Sequence, residues 1–210
     1  MPRLDKILCP PMVMLILLSG GCALGPNEPS TPHTFFLNPI ISWPDPRGHR
    51  EPSGNSALLI SPPKAQAGFD TSRMAYLLRP YEVSYFAYNQ WADTPSRLLH
   101  RVIVENLDRS GRWNTVLQTP GIVPAHYRLD CENLVLEQQF FTRPSLVRLA
   151  LRAQIVDLRR PAILATRSFE VFESSASDDP YGGVVAANHA TAKLVAELVA
   201  WLDEVFKAAR

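Results

Sequence analysis

Cysteine is scarce in this chain of 210 residues. Of its three cysteines, Cys9 and Cys22 lie near the N-terminus and Cys131 stands alone, so no intramolecular disulfide framework can hold a domain together. Net charge is equally scarce: 21 basic against 20 acidic side chains leave +1, too weak a field to hold a polyanion, which excludes nucleic acid as a partner. Also missing are a G-x-S-x-G elbow, a P-loop, a dinucleotide-binding glycine fingerprint and a paired C-x-x-C, and His33, His49, His100, His126 and His189 show no zinc-ligand spacing. Asp178 and Asp179 are neighbours and therefore not the facing carboxylates that glycosidic chemistry needs. No catalytic residue, metal or cofactor is expected, and the chain reads as a non-enzyme. Apolar residues are not lacking: 46% hydrophobic against 20% charged excludes a disordered chain and suffices for one cored domain. There is no internal repeat.

A nearly continuous apolar region lies close to the N-terminus. Arg3 and Lys6 precede Ile7 to Leu18, broken only by Pro10 and Pro11, and small residues follow before Cys22. That is the layout of a signal peptide, too short for a span that needs roughly 20 residues, so residues 1–21 are expected to be cut away. The run Leu18-Ser19-Gly20-Gly21-Cys22 resembles a bacterial lipobox, with cleavage between Gly21 and Cys22 and acylation of the Cys22 thiol, although Ser19 stands where leucine is commonest. The alternative is an ordinary secreted protein with Cys22 as a free thiol. Ala23, rather than aspartate, after the cysteine suggests by resemblance sorting to the outer membrane, facing the periplasm. Loss of residues 1–21 removes Arg3, Asp5 and Lys6 and leaves the mature chain formally neutral.

Residues 22–33 form the lipidated cysteine and a Pro-, Ser- and Thr-rich tether, and residues 34–210 the folded domain. Thr34 to Leu37 reads as a strand, and Ser42 to Ser56 as a proline-rich surface loop. Ala57 to Ser61 and Met74 to Leu78 read as strands, and Tyr81, Val83, Tyr85 and Ala87 alternate with Glu82, Ser84, Phe86 and Tyr88 as a third. Thr94 as N-cap and Pro95 at the first helical position open a helix whose apolar side is Leu98, Leu99, Val102, Ile103 and Leu107, ended by Ser110-Gly111. Four strand candidates follow: Trp113 to Gln118, Tyr127 to Phe141, Leu146 to Leu158 and Ile163 to Phe172. The short breaks between them, at Pro120-Gly121, Thr142 to Pro144 and Arg159 to Pro161, favour antiparallel hairpins. Val147, Leu149, Leu151, Ala153 and Ile155 mark one buried sheet face. A long final helix opens at Gly182-Gly183, with Val185, Asn188, Ala192, Val195, Val199, Leu202 and Phe206 along one stripe. The expected fold is α+β: a two-layer sandwich of a mostly antiparallel mixed sheet with two helices on one face.

Several features carry both a functional and a structural reading. Gly182-Gly183 at a helix start could offer amides to an anionic head group, or simply make a tight turn. Phe86 and Tyr88, facing opposite to Tyr85, and Trp91 are candidate lipid or partner contacts, though a half-buried strand explains most of the aromatic set. Arg148, Arg152, Arg159 and Arg160 could meet an acidic partner or line a solvated face. Cys131 and the helical His100 and His189 read as packed or satisfied groups rather than catalytic ones.

Together these residues resemble a family. Ala67 to Tyr76, Tyr85 to Trp91 with Pro95, Tyr127 to Asp130, Gln139 to Phe141 and Asp179 to Asn188 are similar, in order and spacing, to landmarks of the auxiliary lipoproteins of ABC-type transport systems built on mammalian-cell-entry (MCE) domains, the PqiC-like group. The similarity runs from about Phe35 to Leu202, and is weakest in the Ser42 to Ser56 loop. It implies a non-catalytic component on the outer-membrane side of a machine that moves lipids or other hydrophobic molecules. Its implied partners are an MCE-domain protein, an inner-membrane permease and an ATPase, and a homo-oligomer is compatible with it. A tethered activator of a cell-wall synthase is the competing reading, and an envelope hydrolase using a serine or Cys131 a more remote one.

Overall fold

The computed structural model describes residues 31–43, 57–119 and 123–208. The signal peptide, Gly21 and Cys22, most of the tether, most of the Ser42 to Ser56 loop and the Pro120-Gly121 break lie outside the described residues. In chain order the elements are β1 (His33–Phe35), β2 (Ala57–Ile60), β3 (Arg73–Leu77), β4 (Ser84–Trp91), α1 (Pro95–Arg109), β5 (Thr115–Gln118), β6 (Tyr127–Gln139), β7 (Leu146–Asp157), β8 (Ala162–Ser174) and α2 (Pro180–Ala208).

The strands make one mixed sheet with β6 as its axis. On one side β6 pairs antiparallel with β7 from Tyr127↔Asp157 to Gln139↔Leu146, and β7 pairs antiparallel with β8, the hairpins that the short breaks predict. The other side of β6 is shared. Its N-terminal end takes β2 in parallel at Leu58↔Tyr127, its C-terminal end takes β3 in parallel at Ala75↔Glu137, and a bridge from Ala65 to Leu134 joins the two stretches. Outside β2 lies β5, outside β3 lies β4, and β1 forms the margin beyond β4. The expected hairpin of β5 with β6 is therefore corrected: β5 pairs in parallel with β2, because β2 already occupies that edge of β6.

Burial follows the pleat. Val147, Leu149, Leu151, Ala153 and Ile155 of β7 are buried, as alternation requires of a sheet with one covered face. In β6 a bulge between Glu132 and Val135, with Asn133 in the left-handed region at φ 56°, exchanges the faces. Leu129 and Cys131 enter the core before it, Leu134 and Leu136 after it.

Both helices lie on that covered face and share its core. The Thr94 hydroxyl accepts from the Arg97 amide at 3.5 Å, Pro95 opens α1, and Leu98, Leu99, Val102, Ile103 and Leu107 are all buried. Helix α2 starts at Pro180, earlier than the glycine pair suggests, and its buried side is broader than the expected stripe. Its N-terminal half buries small residues, Gly182, Gly183, Ala186, Ala187 and Ala190, and its C-terminal half Leu194, Leu198, Trp201 and Leu202. Val185, Asn188 and Ala192 are only half-buried, so that part of the stripe is displaced to the helix's flank. Among the described residues no helix is long and apolar enough to cross a membrane.

The β7–β8 turn is tied by a carboxylate. Asp157 accepts from the backbone amides of Arg159 at 2.8 Å and Arg160 at 3.3 Å, and from the Arg159 guanidinium at 3.1 Å. The guanidinium is the largest influence, and it lowers the Asp157 carboxyl to about 2. A folded carboxyl held below its unfolded value of about 3.9 stabilises the protein above that pH and loses the contribution as pH falls through the folded value. Urea midpoints measured from about pH 4 down to pH 2 are expected to fall less steeply in Asp157→Asn than in the parent. Equal slopes would remove Asp157 from the acid sensitivity of the fold.

Candidate functional site

Of the residues singled out in the sequence, Trp91, Gly182 and Gly183 come together at the start of α2 and the strands beneath it, whereas Cys131, Arg152 and Arg159 lie toward the other end of the β6–β7 ladder. Asp179, just before α2, accepts from the Gly182 amide at 2.7 Å through its side chain and from the Gly183 amide at 3.1 Å through its carbonyl. The Gly182 amide is the main reason its carboxyl lies below the ordinary aspartate range, with the Ser177 side chain adding to it. The amides that an anionic head group would have used are thus engaged by the chain itself. The anion reading of Gly182-Gly183 is corrected.

Close approach explains the glycines better. A Cβ on Gly182 would overlap the Ser177 carbonyl and lie 2.9 Å from its amide nitrogen, and one on Gly183 would overlap Gln138 Oε1 and lie 2.8 Å from Cδ. Gln138 is buried, and its Nε2 donates to Ser145 Oγ at 2.9 Å and to the Asp179 carbonyl at 3.2 Å, stitching β6 to the helix start. Ser145 in turn donates its amide to Asp178 Oδ1 at 2.7 Å. The adjacent aspartates therefore serve as two fasteners of the α2 N-terminus.

Trp91 sits beside this junction and is only 4% exposed, so it is a core residue and not the surface contact expected of it. It lines a shallow cleft with Met74, Leu136, Gln138, Gly183 and Ala187 that has a volume of about 10 Å³, room for roughly one water. That lies below the roughly 300–1,000 Å³ of pockets that enclose a small-molecule ligand.

Phe86 is half-buried and stacks on Tyr76 at 4.5 Å between centroids, with Phe140 at 6.4 Å. The sequence shows Phe140 only as part of the Gln139 to Phe141 landmark, because its contact with Tyr76 arises only from the parallel pairing of β3 with the end of β6. Tyr88 is exposed. The simple alternation expected from Tyr81 to Tyr88 does not hold. Tyr81 lies outside the strand, fully exposed at φ 67°, and a register shift between β3 and β4 places Arg73 opposite Gln90 but Ala75 opposite Tyr85. Two residues of β3 thus answer five of β4, an odd surplus that reverses the faces along β4, which is how both Phe86 and Trp91 join the main core cluster. Tyr85 belongs to the other face, where its hydroxyl donates to the Gly68 carbonyl at 2.7 Å and Arg73 lies 3.9 Å over its ring.

Three of the four arginines, Arg148, Arg152 and Arg159, are already paired with carboxylates of the sheet. Arg148 pairs with Glu170 at 2.7 Å and Glu137 at 3.4 Å, Arg152 with Glu132, and Arg159 with Asp157. Cys131 is buried, and loss of solvation, aided by Asp130, pushes its thiol up to about 12, far from the thiolate that a nucleophile requires. Among the described residues no group of three or more His, Cys, Asp or Glu could hold a metal ion.

Two substitutions test the close approach. Alanine usually gains up to about 1 kcal/mol over glycine inside a helix. Gly182→Ala is nonetheless expected to lower stability by about 1–3 kcal/mol, because the Ser177 backbone it meets cannot turn away. Gly183→Ala should lose less, since the Gln138 side chain can give. A gain in the denaturant midpoint of Gly182→Ala would contradict this packing.

Three likenesses to known proteins bear on this arrangement. An uncharacterized protein of Bradyrhizobium diazoefficiens is 28% identical over 150 residues, which is 70% of this chain but only 39% of that relative's length. The crystal structure of a Xanthomonas campestris protein of the DUF330 family superposes with a TM-score of 0.71 at 19% identity, covering 84% of this chain and 98% of the other. A second crystal structure, of an uncharacterized protein, superposes with a TM-score of 0.62 at 12% identity over 82% of this chain and 99% of its own. At these identities the two structures show a shared fold. The model of the ABC-type transport auxiliary lipoprotein component family matches residues 41–200, from the loop before β2 to within the last turns of α2, and the chain belongs to that family.

Proposed function

We propose that the protein is a non-catalytic auxiliary lipoprotein, anchored through Cys22 to the outer membrane and facing the periplasm. In that place it serves an MCE-type ABC system that carries lipids or other hydrophobic molecules between membranes. The observation that carries this reading is the family match over residues 41–200 lying directly downstream of a lipobox-like Leu18 to Cys22 run. Several acyl chains on one cysteine supply the multi-chain anchoring that a single chain cannot, at about 0.8 kcal/mol per buried methylene. Ala23 supports the outer membrane as destination. A buried, protonated Cys131 and arginines already paired within the sheet are consistent with a subunit that docks rather than reacts. The chain has no P-loop, so energy for transport would come from a partner ATPase held by the permease.

The expected outcome of Cys22→Ala is loss of the protein from the membrane fraction and loss of transport-linked phenotype. Gentle detergent extraction of the acylated parent after brief crosslinking is expected to recover an MCE-domain protein by mass spectrometry. Full complementation by an unanchored Cys22→Ala chain, or recovery of a cell-wall synthase in place of the MCE protein, would overturn the proposal.

A further inference from the structure

The edge of the sheet at β1 carries exposed aromatic side chains where the chain arrives from its tether. Phe36, directly after β1, is 57% exposed, Tyr181 in the first turn of α2 is 65% exposed, and Tyr88 is 55% exposed. They belong to three elements, but the fold gathers them at one margin. His33 pairs with Asn89 and so places Tyr88 beside the entry to β1, while Phe35 reaches Tyr181 at 6.3 Å between ring centroids. Ile40, 91% exposed, follows a few residues later. None of these side chains is needed to close the core beneath them, which Trp91 and Leu37 fill.

The tether limits where this margin can be. Thr31 lies nine Cα-to-Cα steps beyond Cys22. Fully extended they reach about 30 Å, and as a flexible coil about 15–18 Å. The bilayer's interfacial zone, where amphipathic aromatic rings are favoured, is therefore the nearest large surface to β1. The opposite margin of the sheet is β8, which also exposes an apolar side chain, Ile163, at 61%. With β4, β3, β6 and β7 in between at roughly 4.8 Å per strand, β8 lies some 24 Å further from the tether. The β1 margin can rest on the membrane with the tether slack, whereas the β8 margin could do so only with the tether drawn out toward its full reach.

We infer that the β1 margin, through Phe36, Tyr88 and Tyr181, seats the domain on the headgroup region of the bilayer that holds its own acyl chains. The inference rests on the lipid anchor at Cys22 and adds to it an orientation: β1 and the start of α2 face the membrane, and β8 faces the periplasm. The domain is then not a freely swinging head.

The test uses the full, acylated protein purified from its own cells and reconstituted into vesicles of phosphatidylethanolamine and phosphatidylglycerol. Single label sites are made by Tyr88→Cys, Tyr181→Cys and Ile163→Cys, all at exposed positions, with an environment-sensitive fluorophore on the new thiol. The acylated Cys22 and the buried Cys131 do not compete for the label. Emission at 88 and 181 is expected to shift to the blue on vesicle binding and to be lost when the lipids carry brominated acyl chains, with emission at 163 unchanged. If 88 and 181 behave like 163 while the protein still floats with the vesicles, the seating is wrong and the anchor stands. A free surface or a protein partner at this margin would give that result. If the N-terminal peptide carries no acyl mass and the protein does not float, the anchor fails and the seating fails with it.

Discussion

Every buried backbone amide and carbonyl needs a partner, and in this fold the strand on which that requirement bears hardest is β6. Its thirteen residues run through the centre of the sheet, so both edges must be paired along its length. The β7 hairpin satisfies one edge with a single long ladder. The other edge is satisfied by two short strands from different parts of the chain, β2 and β3, with the Ala65–Leu134 bridge between them. Everything outside β2 and β3 inherits its place from this division: β5 on one branch, β4 and β1 on the other. The bulge at Asn133 lies where the two branches meet, and it keeps Leu129 and Cys131 on the same side of the sheet as Leu134 and Leu136.

Helix α2 covers this axis, and its composition changes along its length for a packing reason. Where it crosses the polar Gln138 it carries glycine and alanine, so that helix and strand approach closely enough for Gln138 to bond Ser145 and the Asp179 carbonyl. Further along it carries leucine and tryptophan, filling the wider space over β7 and β8. The landmark segment Asp179 to Asn188, which carries part of the family likeness, is therefore a device for fastening a helix start. Its aspartates and glycines satisfy one another and leave no vacant anion cradle.

The open surface shows a similar economy of charge. Arg148, Arg152 and Arg159 meet carboxylates within or beside their own hairpins, so a cluster that reads as cationic in sequence is locally neutral in space. Surface pairs of this kind add little stability, and their effect is to remove a field that would attract acidic partners. Exposed apolar side chains are found at both margins of the sheet, Phe36 and Tyr88 at β1 and Ile163, Leu164 and Phe172 on β8, as well as in the β3–β4 connection at Leu78 and Tyr81.

Much of this was legible from residue order. The Thr94-Pro95 cap and the spacing of Leu98, Leu99, Val102, Ile103 and Leu107 specified α1 because capping and helical periodicity are local. Alternation from Val147 to Ile155 specified the buried side of β7, and short breaks specified the two hairpins. Neutral charge, absent catalytic motifs and the placement of Cys22 likewise belong to composition and order alone. Tertiary structure decided what depends on distant segments meeting. Phe140 joins Tyr76 only through a parallel ladder between residues far apart in the chain, and Trp91 is buried because an odd surplus in β4 reverses its faces. The glycine pair is a packing feature because Gln138 and Ser177 stand where side chains would go. Local pattern carries the period of an element and its caps, whereas the neighbour that an element meets is set by backbone pairing and volume, which no short stretch of sequence contains.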